Sequence, residues 1–153
     1  MIPIREDVSD LIFRVLFSAI FVALGCEHLV SDVLLQGLMP EWLEPKRLVS
    51  IASGVVLLGG GLSIALGYKV DVGATVLGVF LIVVTAVVHL PGLVGHPPSV
   101  PDEASWLWTI YQRSNFVKNV CLFGVCVHLV THRTGRYSLD AYLARRAASR
   151  TAG

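Results

Sequence analysis

Charge is what this sequence has least of. Only 15% of its 153 residues are Asp, Glu, Lys or Arg, against about 25% in an ordinary water-soluble domain. That is too few to coat an aqueous surface. The net charge is only +1, which excludes the strongly basic patch of a nucleic-acid binder. Cysteine is sparse: Cys26, Cys121 and Cys126 form no CxxC pair and no even-numbered secreted framework. All three sit in apolar runs, where a free thiol packs as a small hydrophobe. A Cys26–Cys121 redox pair, in one half of a bilayer, is the sharper alternative. Strict apolar–polar alternation is missing, which excludes membrane barrel strands. No strand–loop–helix context surrounds Gly59-Gly60-Gly61, so a phosphate cradle is excluded too.

What is present is apolar length. Hydrophobic residues make up 54% of the chain and mean hydropathy is +0.70. A bilayer core needs roughly 20 apolar residues in a helix, and four runs qualify: about 11–30, 48–67, 72–90 and 115–131. Each is apolar on every face, as spanning helices are. The fold class expected is therefore all-α, an integral membrane four-helix bundle. Residues 1–136 form the four-span domain and residues 137–153 a basic tail. The leader Ile4-Arg5-Glu6-Asp7 is as acidic as it is basic, so the first run reads as a retained span rather than a signal peptide.

The connections have distinct characters. Tyr68-Lys69-Val70-Asp71 is a tight hairpin, and an amphipathic stretch with Pro40, Trp42 and Pro45 joins the first two runs. Pro91 to Ser114 is the longest loop, ending in Trp106-Leu107-Trp108-Thr109-Ile110-Tyr111. Trp and Tyr favour the headgroup layer, so a short interfacial segment is expected before the fourth span. From Ser138, read as a cap, a C-terminal amphipathic helix carries Arg145, Arg146 and Arg150 towards anionic lipid. Excess Lys and Arg on the side of the termini predicts an inner-membrane, multi-pass protein with both termini cytoplasmic. Small residues at four-residue spacing, Ser50-xxx-Gly54, Ser63-xxx-Gly67 and Ala74-xxx-Gly78, predict close helix packing.

Charges inside spans cost about 2.5–3.5 kcal/mol at mid-bilayer on insertion scales, so their depth is informative. Glu27, His28, His89, Arg113, Asn115 and Lys118 fall in one layer near one end of the bundle. Three readings are open for it. The layer forms a pocket for a polar head such as a quinone ring, with Lys118 or Arg113 on its oxygen and His28 or His89 relaying protons. Glu27 and Lys118 form a structural ion pair. Or Lys118 snorkels to the headgroups, His28 caps its own helix and Glu27 stays in water. Towards the other end lie Arg14, expected to snorkel, and His128 and His132. Cys26-Glu27-His28 does not make a metal site, because adjacent helical residues point about 100° apart, and no metal is expected.

Three segments resemble one family. Phe21-Val22-Ala23-Leu24-Gly25-Cys26-Glu27-His28 is similar to the FxxxGxxH end of the first helix in the DoxX family. Ser53 to Leu62 resembles its glycine-rich second helix, and Asn115-Phe116-Val117-Lys118 with Gly124 resembles the start of its fourth. The likeness runs from about Phe13 to Val130. It implies a four-helix membrane bundle associated with quinol oxidase or thiosulfate:quinone oxidoreductase systems. His28, Asn115 and Lys118 are the positions it carries over, whereas a glutamate common in the family's second span is here Leu57. An accessory subunit of a redox or quinone-linked system is the function expected. No cofactor is identifiable by motif, and quinone is the candidate ligand. A non-enzymatic assembly or cargo factor is the alternative, followed by a small proton or weak-acid transporter using Glu27, His89 and Lys118. The expected partners are the lipid bilayer and a redox-complex protein, with a homo-oligomer left open.

Overall fold

The computed structural model describes residues 5–98 and 100–151. Ile4 of the leader, Ser99 of the proline-rich loop and the last two residues of the tail lie outside that range. Every regular element among the described residues is helical: α1 (Glu6–Val30), α2 (Val33–Leu38), α3 (Lys46–Leu66), α4 (Val70–Val84), a π-helical turn (Thr85–His89), α5 (Leu90–Gly92), a 3-10 turn (Asp102–Ala104), α6 (Ser105–Thr131) and α7 (Leu139–Thr151). Four stretches are long and apolar enough to cross a membrane: Glu6–Val30, Lys46–Leu66, Val70–Gly92 and Asp102–Thr131. Their lipid-facing sides carry large apolar residues such as Leu16, Val55, Val79 and Val117. This is an integral membrane bundle.

The helices pack in chain order, α1 on α3, α3 on α4 and α4 on α6, while α1 and α6 make little direct contact. One face of each helix supplies the interior. In α1 it is Arg14, Ser18, Phe21 and Gly25; in α3 it includes Ser50, Gly54, Leu57, Gly61 and Ile64. These residues recur every three or four positions, one face of a helix of 3.6 residues per turn. Glycine lets the backbones close in where lipid gives helices no hydrophobic reason to associate. A Cβ on Gly25 would sit 2.9 Å from the Leu58 backbone nitrogen.

The α3–α4 hairpin turns on Gly67 at φ 66° and Lys69 at φ 47°. Gly67 and Tyr68 return their N–H groups to Ile64 O and Ser63 O, closing the helix in a left-handed C-cap that favours glycine. The start of α7 clamps this turn: Lys69 N–H donates to Asp140 Oδ2, and Asp140 N–H to Gly67 O. Ser138 caps α7 through the Ala141 N–H, as its sequence position suggests.

Two features differ from expectation. The fourth span begins well before Asn115, because Trp106–Tyr111 are the first turns of α6 itself. At 27 residues and 1.5 Å rise per residue, α6 is about 40 Å long, which exceeds the hydrocarbon core and carries its aromatic start to the headgroup layer. Polar residues at 112–115 do not interrupt it: Gln112 and Asn115 turn inward, while Arg113 and Ser114 stay on the exposed side of the helix. Arg14 does not snorkel. It is fully buried, held by Asp10 and by three backbone carbonyls from α3 and the segment before α7. His132 Nε2 reaches the same Asp10 carboxylate at 2.8 Å.

At the opposite end, Arg47 Nη1 lies 2.6 Å from Asp32 Oδ1 and staples the α1–α2 link to α3. The hydrogen bond from Arg47 holds the Asp32 carboxyl down at about 2, below its ordinary 3.8. A carboxylate whose folded pKa is depressed adds stability above its unfolded pKa and loses it as pH falls through the folded one. Wild type is therefore expected to unfold at higher denaturant than Asp32→Asn at neutral pH. That advantage should fade between about pH 4 and pH 2. A pH-independent difference in the unfolding midpoint would contradict the pairing.

Candidate functional site

The half of the bundle nearer α2 holds a partly open cavity of about 250 Å³. Its floor is apolar, with Phe21, Leu57, Leu81 and Leu122 drawn from all four spans, and Leu35 and Leu38 of α2 join its lining. Polar groups are confined to its walls: His28, Ser53, His89, Tyr111, Asn115, Lys118 and Asn119. The sequence builds this division along α6. Gln112, Asn115 and Asn119 share one face with Leu122, Cys126 and Leu129, so the inward face is polar near α2 and apolar beyond. Polar side chains in a membrane span belong towards an interior cavity or a partner helix.

The π-helical turn places His89. Leu90 N–H bonds Thr85 O, five residues back, so this turn holds one residue more than an α-helical turn. It keeps His89 on the inward face after Leu77 and Leu81. Thr85 Oγ1 accepts from Asn119 Nδ2 at 3.0 Å, tying that turn to α6. Pro91 follows, without an N–H to continue the regular ladder.

Hydrogen bonds orient both histidines. His28 Nδ1 lies 3.0 Å from Ser50 Oγ, and Ser50 Oγ in turn donates to His28 O at 3.2 Å. His89 Nδ1 lies 2.7 Å from Oε1 of Gln112, a residue with 0% exposure. Gln112 Nε2 has no acceptor among the described residues and packs against Gly92, where a Cβ would approach it to 2.8 Å. Lys118 Nζ donates to Asn115 Oδ1 at 2.6 Å, and Asn115 Nδ2 donates to Tyr111 O. Two of the three ammonium hydrogens remain for a ligand.

Of the six residues singled out in sequence, His28, His89, Asn115 and Lys118 line the cavity. Glu27 and Arg113 are exposed and stand off its wall. The Glu27–Lys118 ion pair is not formed among the described residues, since the Lys118 ammonium turns to Asn115. His28 does not cap its helix; Ser50 does so from α3. Sequence reasoning misses Gln112, Ser50 and Tyr111 as members of this network. The i, i+3, i+7 spacing of Gln112, Asn115 and Asn119 is a legible signal for the first, whereas Ser50 reads only as a small packing residue. Leu57 is buried and forms floor.

The three thiols are unbonded, with Cys26 and Cys121 facing outwards and Cys126 buried, so the Cys26–Cys121 pair is not formed. No cluster of three or more metal-ligating side chains occurs among the described residues.

No curated protein and no solved structure matches this chain. The DoxX family model matches residues 9–90, more than half of the sequence and most of its first three spans, α6 lying beyond the match. With that match, four spans and an all-helical bundle in hand, the chain belongs to the DoxX family of multi-pass membrane proteins.

Proposed function

We propose that this protein binds the ring of a membrane quinone in the α2-end cavity and serves as an accessory membrane subunit of a redox system. The observation that carries the reading is the cavity's division into an apolar floor and a polar wall bearing the Lys118 ammonium. An apolar pocket with a few convergent polar groups is the usual form of a small-molecule site. A substituted quinone ring needs apolar surface for its faces and donors for its oxygens. Lys118 supplies a charge-assisted donor, and Tyr111, its ring 6.4 Å from that of His89, adds an aromatic side chain to the lining. The bound ring would bring its own two-electron chemistry; the chain supplies position and hydrogen bonds. In this reading a partner protein exchanges the electrons with the bound ring.

Arg133, Arg136, Arg145, Arg146 and Arg150 gather around α7, which supports a cytoplasmic location for that end in a bacterial-type inner membrane. The cavity then belongs to the outer half of the bilayer. A proton or weak-acid path through Glu27, His89 and Lys118 is less well supported, because Glu27 stands off the cavity wall.

Protein extracted in mild detergent is expected to retain quinone near one per chain. Lys118→Met should reduce that retention about tenfold or more, the scale of one hydrogen bond from a charged group. Organic extraction followed by chromatography measures it. Quinone no higher than in an unrelated four-span protein from the same membranes would overturn the proposal.

A further inference from the structure

The geometry points to a cavity that favours the reduced, hydroxyl-bearing form of its ligand, a hydroquinone, over the quinone. Ser50 and Gln112 act as the positioning residues that set this preference. The inference rests on the quinone-site reading above and deepens it.

Proton counting favours one tautomer at each histidine, with Ser50 as donor to the carbonyl and the Gln112 amide oxygen turned to the ring. A serine hydroxyl has one proton to give. The His28 carbonyl lies in the last turn of α1, among the four carbonyls that lack an intrahelical donor. Ser50 is fully buried and donates to that carbonyl at 3.2 Å. Its oxygen, 3.0 Å from His28 Nδ1, is then left to accept, so Nδ1 carries the ring proton. The same holds on the opposite wall by a different route. Gln112 turns its amide oxygen to His89 Nδ1 at 2.7 Å, and an amide oxygen only accepts. His89 is therefore protonated on Nδ1 as well.

Both rings are neutral in a membrane-embedded site that already holds the Lys118 ammonium, where further cations are costly. A neutral imidazole protonated on Nδ1 has a bare lone pair on Nε2. Neither Nε2 has a hydrogen-bond partner among the described residues, and both histidines line the cavity. The wall thus offers two acceptors and one cationic donor.

A hydroquinone answers all three. Its hydroxyls donate to the two imidazoles, and one of its oxygens accepts from Lys118. A quinone has only acceptor oxygens, so it satisfies Lys118 and leaves both imidazole nitrogens desolvated without partners. A site built to hydrogen-bond a hydroxyl discriminates strongly against an analogue that lacks it. At least about tenfold tighter binding of the hydroquinone is expected. Tenfold selectivity makes the bound pair about 30 mV easier to reduce than the free pool.

The test uses the full chain in nanodiscs. A short-chain benzoquinone and its hydroquinone are titrated by calorimetry under argon, and ¹⁵N NMR of the histidine side chains is recorded without ligand. Tighter hydroquinone binding, with His28 and His89 both showing an unprotonated Nε2, supports the inference. Equal or tighter quinone binding overturns it while leaving the proposed function standing. Binding of neither form overturns both. Protons on Nε2 of either ring overturn the inference whatever the affinities. In Gln112→Leu and Ser50→Ala the selectivity should fall towards unity, with quinone affinity changing less. Folded variants that keep the selectivity would overturn the positioning roles. If neither variant folds, the wild-type NMR spectrum decides the matter alone.

Discussion

Arg14→Ala is expected to destabilise the bundle by about 3–5 kcal/mol, the cost of removing one partner from a buried, hydrogen-bonded charge pair. Arg14 has 0% exposure, and its guanidinium divides its donors among three parts of the chain. Nε bonds Asp10 Oδ2 at 2.9 Å. Nη1 reaches Ala65 O at 2.8 Å and Ile64 O at 3.3 Å, and Nη2 reaches Tyr137 O at 2.9 Å. Ile64 and Ala65 are in the last turn of α3, whose carbonyls need donors from outside the helix and whose dipole favours a cation. Truncation would leave Ala65 O and Tyr137 O without that donor and strip the Asp10 carboxylate of its guanidinium, while Ile64 O keeps the Gly67 N–H. Asp10 would keep His132 and the Gly135 N–H, so the segment before α7 should loosen before the spans separate. Arg14→Lys restores the charge without the planar fork and should recover only part of the loss. Unfolding in detergent, with trypsin cleavage at Arg133 and Arg136 as a second readout, measures both effects. A loss below about 1 kcal/mol, the range of an exposed ion pair, would show that Arg14 reaches the headgroups after all.

Gly25→Val is expected to be nearly as damaging, for a steric reason. A Cβ at Gly25 would lie 2.8 Å from Leu58 Cγ, 2.9 Å from Leu58 N and 3.1 Å from Gly54 O. Two of these three obstacles are backbone and cannot move aside by changing rotamer. The contact is reciprocal, since a Cβ on Gly54 would meet the side chain of Leu29 and the carbonyl of Gly25. Overpacking typically costs about 1–3 kcal/mol, and a branched side chain against backbone belongs at the upper end of that range. The substitution should also reduce ligand retention, because His28 lies one turn beyond Gly25 and meets Ser50 across the same α1–α3 seam. Gly59→Ala and Gly124→Ala are the controls. Nothing lies within 4 Å of a Cβ at either position, and alanine improves helix propensity by up to about 1 kcal/mol. Equal destabilisation by all three substitutions would show that the damage does not come from the seam.

Much of this protein is legible in its amino-acid order. The four apolar runs establish lipid as its solvent, and the small residues of α3 and α4 mark the faces that pack. The depth of the charged and amide side chains groups His28, His89, Asn115 and Lys118, all of which line the cavity. Depth along a helix follows from residue number, so it can be read in one dimension.

Direction around the helix axis, and the choice among partners at one depth, cannot. Arg14 lies close enough to its helix start to snorkel, and only the packing of α3 and the segment before α7 over its face buries it. Glu27 and Lys118 share a depth, yet Glu27 points out of the bundle while Lys118 finds Asn115 one turn away on its own helix. The π-helical turn that keeps His89 inward leaves no recognisable mark in Thr85-Ala86-Val87-Val88. Gln112 and Ser50 gain their meaning only from the imidazoles that other helices bring to them. Composition and spacing determined the solvent, the spans and the depth of each polar group; tertiary packing alone decided which of those groups meet, because hydrogen bonds select partners by direction and distance.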